Sequence, residues 1–130
     1  MNWLYTLTPP LGTANKFGIS GSIRGRLGKY QLPYGPTWEA AFSWLAGHED
    51  PKVISWMEDS IKGHFRDHRW GIGPGMTEWL EDVTAQQIRD YVMLVNQDLD
   101  LGIKEHGFGH WNALRLAEEF PNDHGNDHYE

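Results

Sequence analysis

The sequence predicts an α+β fold, a small and mostly antiparallel sheet of three to four strands with helices packed around it. Three observations carry that expectation. Residues 2–7 (NWLYTL) alternate apolar and polar and then meet Thr8-Pro9-Pro10-Leu11-Gly12, the pattern of a half-buried strand entering a turn. Residues after Asp50-Pro51 repeat apolar side chains every three or four positions, the stripe of an amphipathic helix. Strand-like and helix-like segments follow one another in a mixed order rather than in strict alternation. At 130 residues with 39% hydrophobic and 13% aromatic content, the chain can bury one core and not two independent ones.

The elements follow in order. After the first strand and its turn, Lys16 to Ser20 (KFGIS) reads as a second strand, and Gly21-Ser22 breaks it. Ser22 is suited to cap a helix from Ile23 to about Tyr30. Residues 31–36 (QLPYGP) hold two prolines and a glycine and are expected to be loop, with a third strand over residues 37–46. The alanine-rich centre of that run suits a helix as well. Asp50 as N-cap and Pro51 at the first helical position open the long helix, expected from Pro51 to about His68. Val53, Trp56, Met57, Ser60, Ile61, His64 and Phe65 form its inner stripe. The glycines of GIGPG end it, residues 77–81 (TEWLE) form a short edge strand, and residues 84–98 form a further amphipathic helix. This places one domain over residues 1–98. Residues 99–120 are a C-terminal extension with a short helix around NALRLAEEF, and the acidic tail 121–130 has too little to bury and is expected to be disordered.

Composition bounds the function. Cysteine is absent, which excludes thiolate catalysis, cysteine zinc sites and disulfides, and accords with a reducing, cytoplasmic setting. No stretch approaches the roughly 20 apolar residues of a membrane span, so no membrane partner is expected. The net charge of −7 speaks against a nucleic-acid partner, but its distribution is uneven. Residues 1–70 hold eight Lys and Arg against six Asp and Glu, whereas residues 71–130 hold three against twelve. A weakly basic half beside an acidic half fits a modest DNA binder and a protein that never meets DNA equally well.

Four separated residues would converge if the sheet forms as expected: Tyr5 in the first strand, Lys16 opening the second, Arg26 in the first helix and Glu58 at the margin of the long helix's apolar stripe. Arg26 and Tyr30 are four apart and share a helical face. Taken singly, each has an ordinary structural explanation. Tyr5 and Lys16 suit a half-buried strand and a strand edge, Arg26 competes with Arg24 and Lys29 as a solvated charge, and Glu58 can pair with Lys62 four residues on. His64 with His68, and His106 with His110, have four-residue spacing, but no acid pattern or cysteine completes a zinc site. Trp70, Trp79 and Tyr34 suit base stacking or, more simply, a core. The glycines 18, 21, 25 and 28 fit neither a dinucleotide loop nor a P-loop.

Over residues 3 to about 82 the sequence resembles the GIY-YIG nuclease superfamily. Trp3-Leu4-Tyr5 stands where the GIY motif would, and Lys16-Phe17-Gly18-Ile19-Ser20 where YIG would, with Lys in place of the second tyrosine as in the phage and restriction-enzyme branch. Ser22-Ile23-Arg24-Gly25-Arg26-Leu27 resembles the helix whose arginine precedes a large apolar residue, which selects Arg26, and Tyr30 stands where many members have His or Tyr. The segment from Trp56 through Glu58 to Phe65, with Arg69, resembles the helix around the metal-binding glutamate. Thr77-Glu78-Trp79-Leu80 resembles its closing strand.

The resemblance implies a metal-dependent DNA endonuclease of phage or bacterial type, homing-endonuclease-like or free-standing. It implies Tyr5, alone or supported by Lys16, as general base, with Arg26 and Tyr30 completing the catalytic group and Arg26 neutralising charge on the phosphate. Glu58 would hold a single Mg2+ or Mn2+, and Arg24, Lys29, Lys62 and Arg69 would contact the DNA backbone. The competing expectation is a catalytically silent scaffold of the same fold, whose acidic C-terminal half meets a basic protein partner.

Overall fold

The computed structural model describes residues 1–8, 14–31, 39–70 and 79–123. The chain is α+β. Among the described residues six antiparallel strands form one sheet in the order β4-β5-β2-β1-β3-β6, with β1 over Asn2–Leu7, β2 over Ala14–Ser20, β3 over Ala41–His48, β4 over Arg69–Trp70, β5 over Trp79–Glu81 and β6 over Lys104–Asn112. Even without the two-residue β4, the five remaining strands exceed the three to four expected. The helices are α1 over Ile23–Gln31, α2 over Pro51–His64, α3 over Ala85–Leu99 and α4 over Ala113–Glu119.

The helix ends follow their local chemistry. Ser22 Oγ accepts from the Gly25 amide at 3.1 Å at the start of α1. Asp50 accepts from the Lys52 amide at 2.9 Å and Pro51 opens α2. Thr84 and Gln87 cap the α3 start reciprocally, at 3.1 and 2.8 Å, satisfying donors the helix itself leaves over. Asp100 closes α3 in the left-handed region at φ 52°, a conformation Asp tolerates better than most residues.

Several boundaries differ from the sequence reading, beginning with β2, which opens at Ala14 rather than Lys16, and β3, which opens at Ala41 rather than at residue 37. Helix α2 stops at His64, not His68, and a 3-10 turn covers Arg66–His68. After Phe65 the chain offers Arg66, Asp67, His68 and Arg69, all exposed, so a further turn would bury nothing and packing gives no reason to extend it. Strand β3 runs on to His48 rather than ending at Ala46, because Gly47 and His48 still pair with Trp3 and Asn2 of β1. Residues 9–13, 32–38, 71–78 and 124–130, and with them the expected loops, the opening of the 77–81 strand and most of the acidic tail, lie outside the described residues.

Each face of the sheet carries its own core. On one, Leu4, Phe17, Trp44 and Leu80 pack with Ile54, Met57 and Ile61 of α2 and Ile88 and Val92 of α3. On the other, Tyr5, Leu7, Phe42 and Leu45 pack with Ile23 and Leu27 of α1 and with Trp111 and Leu116. Residues 104–112 join the sheet as its β3-side edge. Their register against β3 shifts between Phe42 and Trp44 and again between Leu45 and Ala46, and Gly107 sits there at φ 119°.

Candidate active site

The hairpin register brings the first candidates together. Tyr5 lies opposite Gly18 and Leu7 opposite Lys16, and period-two alternation turns Tyr5, Lys16 and Gly18 to the face that α1 covers. Gly18 is needed here because the Tyr5 ring lies across it. A Cβ at that position would meet the phenolic oxygen and stand 2.7 Å from Cζ. The ring is held by Phe42 at 4.6 Å between centroids and Tyr30 at 6.0 Å. Helix α1 turns Tyr30 one turn beyond Leu27, and the two phenolic hydroxyls share a short hydrogen bond.

Lys16 is 8% exposed. Its Nζ lies 5.7 Å from the Tyr30 ring centroid and 5.6 Å from that of Trp79, within reach of both ring faces. Strand β5 supplies Trp79 because it pairs directly opposite Lys16. From sequence Trp79 is expected in the core or in base stacking, and only the long-range β2–β5 register makes it the second wall of a lysine slot.

Tyr5 is 1% exposed, and burial pushes its phenol well above the usual tyrosine value. The Tyr30 phenol raises it further, by its charge and through the shared hydrogen bond. The Arg26 guanidinium opposes the rise and the Glu58 carboxylate adds to it. Arg26 and Glu58 therefore both act on the Tyr5 hydroxyl with opposite sign, although their helices pack on opposite faces of the sheet. Glu58 stands between the buried Met57 and Ile61, with its side chain 15% exposed and Lys62 Nζ 3.5 Å from its carboxylate. The chain matches no family model, no curated protein and no solved structure. Geometry and chemistry therefore carry the functional reading.

The remaining candidates are dispersed. Arg24 lies in the first turn of α1, where its guanidinium donates to the Asp123 carbonyl at 2.8 Å. Lys29 is exposed near the end of α1, and Arg69 is exposed on β4 opposite Leu80. His64, expected in the inner stripe of α2, is exposed and stacks on Tyr91 at 4.0 Å with planes 17° apart. His68 Nδ1 lies 3.1 Å from the Glu81 carbonyl, His106 faces Glu119 at 3.7 Å and His110 faces Glu39 at 3.5 Å. Among the described residues no three His, Asp or Glu side chains stand together as a metal-binding group.

Proposed function

We propose that the chain is a metal-dependent DNA endonuclease of the GIY-YIG type, with Tyr5, Tyr30, Lys16, Arg26 and Glu58 as its catalytic group. The observation that supports this best is a cluster of ionisable groups: the buried Tyr5 phenol is hydrogen-bonded to the Tyr30 phenol, whose ring centroid lies 5.7 Å from the ammonium of the almost buried Lys16, and the Arg26 and Glu58 charges push the Tyr5 pKa in opposite directions. A core has no use for so many ionisable groups, and such groupings mark chemical sites.

The raised Tyr5 pKa specifies its role. Tyr5 does not wait as a phenolate. It takes a proton from the attacking water as it passes its own along the hydrogen bond to Tyr30, and the half-buried Tyr30 gives up its own hydroxyl proton to solvent in the same relay. Arg26, the cation that favours the ionised phenol, is also the planar donor suited to the non-bridging phosphate oxygens as charge grows there. Lys16, held between two rings, adds fixed positive charge beside them. The Glu58 carboxylate is an oxygen donor of the kind Mg2+ or Mn2+ prefers, and Lys62 must turn aside from it for the ion to bind. When bound, that ion supplies Lewis-acid stabilisation of the leaving oxygen. Lys29 and Arg69, exposed at the surface, and Arg24 and Lys62 would contact the DNA backbone.

The test is direct. Purified protein with Mg2+ or Mn2+ should nick supercoiled plasmid or cut single-stranded or branched DNA. Arg26→Ala and Glu58→Ala should fold, with unchanged circular dichroism, and lose about a hundredfold or more of that activity. Wild-type protein that leaves all three substrates intact with both metals sinks the proposal. The acidic half then becomes the place to look for a basic protein partner.

A further inference from the structure

Asp123, a hundred residues from α1 in sequence, is bonded to that helix's first turn. Ser22 is 2% exposed. Its Oγ accepts from the Gly25 amide, and its own hydroxyl proton goes to Asp123 Oδ1. The Arg24 amide donates to Asp123 Oδ2 at 3.4 Å and the Arg24 guanidinium to the Asp123 carbonyl at 2.8 Å. Leu116 and Phe120, just before this contact, pack in the same cluster as Ile23, Leu27 and Tyr30.

Helix α1 has little to hold it by itself. It is nine residues long with glycines at 25 and 28, short of the length at which an isolated helix persists and weakened by residues of poor helix propensity. A buried serine hydroxyl needs an acceptor, and a carboxylate at a helix N-terminus is favoured by the dipole and the open amides. Arg26 and Tyr30 lie on this helix, so its seating fixes where both stand relative to Tyr5.

We propose that Asp123 is a positioning residue of the active site, anchoring the first turn of α1 and so setting Arg26 and Tyr30 against Tyr5. Its effect on cutting rests on the nuclease reading, whereas its effect on α1 does not. The experiment compares the full wild-type chain with Asp123→Ala and Asp123→Asn by amide hydrogen exchange, by ultraviolet titration of the phenols and by plasmid nicking with Mn2+.

In Asp123→Ala, the amides of Arg26 and Leu27 should exchange roughly tenfold faster while those of α3 stay within about twofold. The late phenol titration of Tyr5 should move, and kcat should fall about tenfold with KM nearly unchanged. Asp123→Asn keeps one oxygen for the Ser22 hydroxyl and should fall between. Unchanged exchange across α1 overturns the proposal. So does faster nicking or tighter duplex binding by Asp123→Ala, which would mean that the carboxylate shields a DNA-binding surface. If wild-type protein cuts nothing while exchange and titration respond as stated, the nuclease reading falls and the positioning role stands.

Discussion

The two faces of the sheet are filled by different principles. On the α2 and α3 side the core is Leu4, Phe17, Trp44, Ile54, Met57, Ile61, Ile88 and Val92. Its buried polar side chains are uncharged and locally satisfied, Asn15 donating to the Val83 carbonyl at 2.6 Å and Thr6 bonding Ser43 at 2.6 Å. On the α1 and α4 side, burial falls on a phenol pair and an ammonium as well as on Leu7, Ile23, Leu27 and Phe42. Enclosing such groups costs free energy that apolar side chains of the same size would not. The first face is filled almost wholly by apolar side chains, and the second gives up part of its stability to enclose ionisable groups. Strand β1 serves both, with Leu4 on one side and Tyr5 on the other.

That contrast can be broken by experiment. The largest stability effect belongs to the apolar face: Ile88→Ala, at a fully buried site on α3, should cost about 2–5 kcal/mol. Activity per folded molecule should stay unchanged, as urea unfolding combined with nicking assays would reveal. A fall in activity beyond the unfolded fraction would show that the faces are not separable. Gly18→Ala should cost about 1–3 kcal/mol and remove most cutting, because the new methyl displaces the Tyr5 hydroxyl, whose ring is confined between Tyr30 and Phe42. A crystal structure of that variant with the phenol unmoved would contradict the packing described above.

The smallest effect is a titration. By absorbance at 295 nm Tyr5 should ionise above the usual tyrosine range, later still in Arg26→Ala and earlier in Glu58→Gln, following the signs of those two charges. A folded-state pKa above the unfolded value of about 10 means that Tyr5 favours the folded state fully below that value, and that this contribution is lost as pH rises through the folded pKa. Tyr5→Phe should therefore remove part of the alkaline loss of stability, measured by unfolding between pH 9 and 11.

Much of this was legible in the sequence because local physics determined it. The Asp50-Pro51 start and the three-and-four spacing through Val53, Trp56, Met57, Ser60 and Ile61 marked α2, although Ile54, and not the exposed Trp56, shares its buried face with Met57 and Ile61; Ser22 marked the start of α1, and alternation marked β1. The gathering of Tyr5, Lys16 and Tyr30 followed from the hairpin register and from α1 folding back onto it. Strand β6 was not legible. Its sequence KEHGFGHWN alternates poorly, its glycines and histidines are weak strand signals, and Trp111 is its one fully enclosed side chain. Only pairing with β3, some sixty residues earlier, makes it a strand. Asp123 was hidden for the same reason: an acid in a polar tail becomes a helix cap only when the tail packs beside Ser22.

The irregular edge strand also bears on how these molecules behave at high concentration. A long, flat rim of unpaired amides and carbonyls invites neighbouring copies to add on, strand by strand, into aggregates. The two register shifts along β6 and the left-handed Gly107 disrupt that regularity, so the rim is a poor template for sheet-to-sheet growth.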